Sequence, residues 1–214
     1  MKCQREKFNL QRKYAYLNCA YMSPLSKKVE KAGIAGIHAK RKPFHLSPED
    51  FFKDTNTLRM LFAQLINVKD KNRCVIIPSV SYGMSTVARN LKAEAGNNIV
   101  ITGEQFPSNV YPWMELEKKG VELRFVPAPK DLKDRGKLWN EKILDAIDAD
   151  TSLVAMGHVH WADGTLFDLI SIREKSRMCD SLLAIDGTQS IGALPFDVNE
   201  FEPDAVIVAG YKWL

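Results

Sequence analysis

The sequence predicts an α/β fold in which a mostly parallel sheet is layered between helices. Two observations point there. From residue 72 onward, short apolar runs alternate with helix-like segments. Most of those runs are apolar at every position, as strands are when helices cover both faces of their sheet. Such an alternation implies right-handed crossovers and a doubly wound layer.

The elements follow in order. Residues 1–24 read as an irregular N-terminal arm, and residues 25–70 as a helical segment. Within that segment, residues 25–40 are helical. A second helix starts at Ser47, with Ser47 as cap, Pro48 in the first turn and acids after it, and runs to about residue 66. Leu58, Leu61 and Leu65 stand at helical spacing on it. Residues 71–214 form the α/β domain. Strands are expected at 74–78, 98–102, 121–126, 152–159, 182–185 and 205–208. Helices are expected at 81–91, 109–119, 141–147 and 169–179.

At 214 residues the chain can bury one good core. The net charge is +4, with much of the excess between Lys2 and Lys13 and in Lys40-Arg41-Lys42. No aromatic-basic stripe accompanies it, so no nucleic-acid partner is indicated. Cys3, Cys19, Cys74 and Cys179 are far apart and form no CxxC pair, which argues against a zinc site or a disulfide framework. No apolar run approaches the roughly 20 residues of a membrane span, and no signal-peptide pattern opens the chain. The expectation is a cytoplasmic protein with no membrane partner.

Ligands of open α/β sheets bind beyond the carboxyl ends of the strands, so the chemistry is sought there. At the first such end, Ser79, Ser81, Tyr82 and Gly83 lead into a helix N-terminus, where free N–H groups attract phosphate. A serine before a helix is also an ordinary cap. At the second, Phe106 is followed by Pro107 and could lie flat on a planar ring or simply fill the edge of the core. His158 and His160 lie two apart and share one face of a strand. With no third ligand nearby a metal is not indicated, and His160 is the better candidate to line a cofactor site.

Asp186 directly follows an apolar strand, where a carboxylate is costly without a charged or hydrogen-bonded partner. A protonated pyridine nitrogen is such a partner, although a turn with Gly187 or a metal would also serve. Lys212 follows another apolar run. Desolvation there would favour the free amine that imine formation needs. An acid and a lysine delivered to one end of a parallel sheet are what a pyridoxal phosphate enzyme requires. Gln189 could reach the phenolic oxygen of that cofactor.

These segments together resemble the class V aminotransferase family of fold type I pyridoxal phosphate enzymes. That family takes in cysteine desulfurases, kynureninase and isopenicillin N epimerase-like proteins. The resemblance rests on Ser79 to Gly83, Glu104 to Trp113, Asp186-Gly187-Thr188-Gln189 and Gly210-Tyr211-Lys212, in that order. It implies that Lys212 is the Schiff-base lysine and general acid/base, and that Asp186 pairs with the ring nitrogen. It implies further that Gln189 contacts the phenolic oxygen, that Phe106 stacks on the ring, and that Ser81 and the Tyr82 backbone bind phosphate. Phe106 and Tyr211 stand where desulfurases often carry histidines. The resemblance also implies an amino acid substrate, a homodimer, and a truncated large domain without its small C-terminal domain. Such a truncation would expose apolar surface and leave Lys212 in a frayed tail. The readings that compete are a nucleotide-dependent α/β protein and a non-catalytic domain.

Overall fold

The structure is a computed structural model and describes residues 2–214, so Met1 of the expected arm lies outside the described residues. After the arm come α1 (Lys27–Ala39), α2 (Asp50–Leu65) and α3 (Val80–Asn90). The α/β alternation then runs β1 (Asn98–Thr102), α4 (Tyr111–Glu117), β2 (Glu122–Val126), α5 (Arg135–Ala146) and β3 (Thr151–Gly157). It closes with α6 (Leu169–Met178), β4 (Leu182–Asp186), α7 (Val198–Phe201) and β5 (Ala205–Ile207).

All strand pairs are parallel and the sheet order is β2-β1-β3-β4-β5. The chain winds outward from β1 in both directions. The carboxyl ends of β1 and β3 therefore flank the topological switch point, where such sheets bind ligands. Strand pleating sorts the core into two layers. Val100, Val154, Met156, Leu183 and Ile185 pack with Trp139, Ile143 and Ile172 from α5 and α6. Ile99, Ile101, Leu153, Ala155 and Ala184 pack on the other face with Met84 of α3 and Trp113 of α4. At the amino ends, the Asn98 amide donates to Asp148 (3.0 Å) and the Thr151 hydroxyl donates to Asn98 (2.8 Å), while Arg124 pairs with Asp148. That network ties β1, β2 and β3 together at the edge opposite the ligand end.

Four sequence expectations change. The run 74–78 is extended but is no strand: Val75 and Ile76 are exposed, and β5 lies across a cavity of about 1120 Å³ rather than within pairing distance. The helix expected at 141–147 begins earlier, at Arg135. Ser47 is not the cap of α2; its N–H and hydroxyl both donate to Asp50 in the first turn (2.9 and 3.0 Å). On α2 the more buried positions are Arg59, Phe62 and Ala63, continued by Ile66, so Leu58, Leu61 and Leu65 mark no core stripe and stay about half exposed. No helix among the described residues is long and apolar enough to cross a membrane.

Candidate active site

A cavity of about 280 Å³ opens over the carboxyl ends of β1, β3, β4 and β5. Ser79 and Val80 wall it from the start of α3, Gln105, Phe106 and Ser108 from the loop after β1, and Gly157, Val159 and Trp161 from the loop after β3. Asp186, Thr188 and Gln189 close it from β4, and the segment from Val208 to Lys212 from β5.

Lys212 is 7% exposed, so the segment after β5 is a packed turn and not the frayed tail expected of it. The turn is held because the Leu214 N–H donates to the Gly210 carbonyl and the Ser23 N–H donates to the Tyr211 carbonyl (3.3 and 3.2 Å). The ammonium nitrogen of Lys212 lies 5.7 Å from the centre of the Phe106 ring. Burial lowers the Lys212 pKa, opposed by the negative charge of Asp186.

Asp186 ends β4, and its Oδ1 accepts the Thr188 N–H at 3.0 Å. Burial pushes its pKa up, against the Thr188 hydrogen bonds and the Lys212 charge. Among the described residues no direct ion pair joins Asp186 to Lys212. This acid therefore retains a desolvation cost that a cationic ligand atom would relieve. The Thr188 hydroxyl accepts the Ala209 N–H at 3.0 Å and so ties the Asp186 turn to the Lys212 loop.

Phe106 and Gln189 line the cavity as expected. The Gln189 amide already donates to the Ala20 carbonyl (3.0 Å) and accepts from the Trp213 indole (3.2 Å). One of its two amide hydrogens remains for a ligand. The phosphate expectation shifts by a residue or two. Ser79, not Ser81, lines the cavity and caps α3, accepting the Tyr82 N–H at 3.1 Å. The Tyr82 N–H is thus already engaged, and the Tyr82 side chain lines the other, larger cavity. Ser81 lies beside the cavity, donating to the Ser108 hydroxyl at 3.1 Å.

His160 does not reach the cavity. Gly157, Val159 and Trp161 occupy the cavity-facing positions of the extended segment, so the intervening histidines point to the opposite layer. His160 stacks at a tilt on Trp139 and faces Asp163 at 3.1 Å; His158 packs edge-on against Phe196. Among the described residues no cluster of three or more His, Cys, Asp or Glu is placed to hold a metal ion. The cavity residues given no role from the sequence are Gln105, Ser108, Trp161 and Thr188. Alternation along 157–161 was the available signal for Trp161.

The fold is a doubly wound α/β layer with a buried lysine and a half-buried acid at the carboxyl ends of β5 and β4, beside its switch point. The aminotransferase class-V family profile matches residues 37–214, and the chain belongs to that family. A cysteine desulfurase of Enterobacter sp. (strain 638) is 27% identical over 84% of this chain and 44% of its own length. The uncharacterized aminotransferase YcbU of Bacillus subtilis (strain 168) is 31% identical over 78% of this chain and 43% of its own length. Among solved structures, a C-DES lysine-to-alanine mutant with glycine covalently linked to its PLP cofactor superposes with a TM-score of 0.84. It is 22% identical, covering 99% of this chain and 56% of that one. The chain thus spans about half the length of the curated relatives it matches.

Proposed function

We propose that the chain forms the cofactor-holding part of a pyridoxal phosphate-dependent enzyme acting on an amino acid, with transamination as the family-level reaction. The observation that carries the reading is the buried Lys212 and the half-buried, desolvated Asp186, which has no ion-pair partner among the described residues, lining one cavity. The residues present fit the group. Asp186 needs a cationic partner, and a pyridinium N–H is one. Ser79, Ser108 and the first turn of α3 would take the phosphate, aided by the helix dipole. Phe106 would lie against the ring, and Gln189 would offer its spare amide hydrogen to the phenolic oxygen.

When bound, the cofactor supplies an electron sink for the bond broken at the amino acid Cα. Lys212 provides the amine for covalent attachment, and its depressed pKa favours the free base that attachment requires. The same Lys212 nitrogen would serve as the base that takes and returns a proton at the substrate Cα, and Asp186 would keep a bound ring nitrogen protonated.

A second reading, cleavage of a carbon–sulfur bond of cysteine, is favoured by the names of the curated relatives. Phe106 and Tyr211, where desulfurases often carry histidines, speak against a standard cysteine desulfurase and leave hydrolytic cleavage or epimerisation as further alternatives. A homodimer, resting on the family resemblance alone, and a cytoplasmic setting, resting on the sequence pattern alone, complete the proposal.

The test is to add pyridoxal phosphate to the protein, record the visible spectrum, and reduce with borohydride. A yellow band that bleaches, with the reduced adduct mapped to Lys212 and absent from Lys212→Ala, is expected. A colourless protein, or an adduct on another lysine, overturns the reading. Product analysis then separates the two chemistries: a 2-oxo acid from transamination, alanine and sulfane sulfur from cysteine cleavage.

A further inference from the structure

Trp161 is 44% exposed, so burial alone does not fix its ring. Two contacts do. The indole N–H donates to the Glu104 carbonyl at 2.7 Å, and the ring meets Phe106 at 80° with centroids 5.4 Å apart. Edge-to-face geometry at that separation is attractive beyond simple burial.

The acceptor is itself unusual. Glu104 sits at φ 51°, in the left-handed region that non-glycine residues seldom adopt. A backbone held there has a cost and persists only where its surroundings over-determine it. This turn aims the Glu104 carbonyl across from the β1 loop toward the loop after β3, where Trp161 receives it. Gln105 fixes the next backbone group, accepting the Phe106 N–H at 2.9 Å while donating to Thr102 at 2.8 Å. The backbone of Phe106 is therefore anchored from below. Its ring, 37% exposed, has the Trp161 edge as its aromatic support. Trp161 thus bridges the two loops that flank the switch point.

We propose that Trp161 is a positioning residue: it holds the Phe106 ring at the cavity wall, in the orientation needed to stack on a bound planar ring. The inference rests on the reading of the cavity as a pyridoxal phosphate site. It adds to that reading the element that makes the stacking wall rigid.

Trp161→Phe keeps an aromatic edge but loses the hydrogen bond to Glu104. Trp161→Ala loses both. With pyridoxal phosphate titrated into the full chain, the expected rise in Kd is about three-fold for Trp161→Phe and about ten-fold for Trp161→Ala, the span set by losing one hydrogen bond or that bond plus an aromatic pair. The induced circular dichroism of the bound chromophore should weaken in the same order. In a Phe106→Ala background, Trp161→Ala should add less than about two-fold, because the two residues act as one unit.

Crystal structures of the unloaded variants give an independent readout, with the Phe106 ring leaving its rotamer in Trp161→Ala. Unchanged Kd, dichroism and Phe106 rotamer in a folded Trp161→Ala overturn the proposal, as does full additivity in the Phe106→Ala background. If Trp161→Ala does not fold, an unchanged Kd and rotamer in Trp161→Phe overturn it instead. If the parent protein gives no visible band, the cofactor reading fails, and the rotamer of Phe106 in the unloaded variants still decides the inference.

Discussion

At Lys212 two effects oppose each other: burial favours the free amine, the Asp186 charge favours the ammonium, and burial wins. Lys212 should therefore titrate below an ordinary lysine. Competitive acetylation followed by peptide mapping across a pH series should give it a lower midpoint than a model lysine peptide. Asp186→Asn removes the charge that holds the proton on, so the midpoint should fall further; a midpoint that rises or stays put contradicts this electrostatic account. Lys212, Asp186, Phe106 and Gln189 were legible in the sequence because each follows an apolar run whose carboxyl end must face the ligand side. His160 was misplaced and Trp161 passed over for one reason: a shift of one residue along an extended segment moves a side chain to the other face. The phosphate end was legible as a helix start. Which hydroxyl caps that helix and which N–H stays free depend on backbone geometry that residue types do not encode.

Among the elements, the end of β3 carries a cost visible at acid pH. His158 is buried against Phe196 and Phe201, and burial lowers its pKa to about 4. Between pH 6.5 and about 4 the unfolded chain takes up a proton that the folded chain refuses, so stability falls as pH drops through that window. The full effect is on the order of 3 kcal/mol. His158→Phe should flatten the loss of stability measured by urea unfolding across that window; an unchanged slope would show that His158 is not its source. The turn after β4 makes a second prediction. Gly192 sits at φ 96°, and a Cβ there would overlap the Trp213 carbonyl and lie 2.9 Å from Leu214. Gly192→Ala should destabilise the protein by on the order of 2 kcal/mol and reduce borohydride trapping at Lys212, because the loop must move away. Unaltered Tm and trapping would mean that the two turns are not coupled. The existence of α1 to α6 was legible and that of the short α7 was not, nor was the partial exposure of Leu58, Leu61 and Leu65 on α2, since spacing marks a stripe without saying what it faces.

Over the whole molecule, the larger cavity joins apolar side chains to a free strand edge. The cavity of about 1120 Å³ runs between the free edge of β5 and the extended residues 75–77, lined by Phe62, Ile66, Val75, Ile76, Val206 and Ile207 among others. An uncovered strand edge beside apolar side chains promotes association. Ile76, more than half exposed, should accept a charge without loss of core packing. Ile76→Lys is expected to lower aggregation in light scattering and dye binding to exposed apolar surface, with Tm little changed; equal aggregation would place the sticky surface elsewhere. The parallel α/β layer, most of its elements and the two titratable groups that face the ligand end were readable from residue order alone. Those follow from local periodicity and from a buried charge that demands a partner. Packing in three dimensions leaves the run 74–78 unpaired, buries Lys212, turns the histidines after β3 away from the cavity and sets the Trp161 ring against Phe106. Each of these depends on which face a side chain takes and which neighbour stands opposite, and that is settled by packing across distant segments.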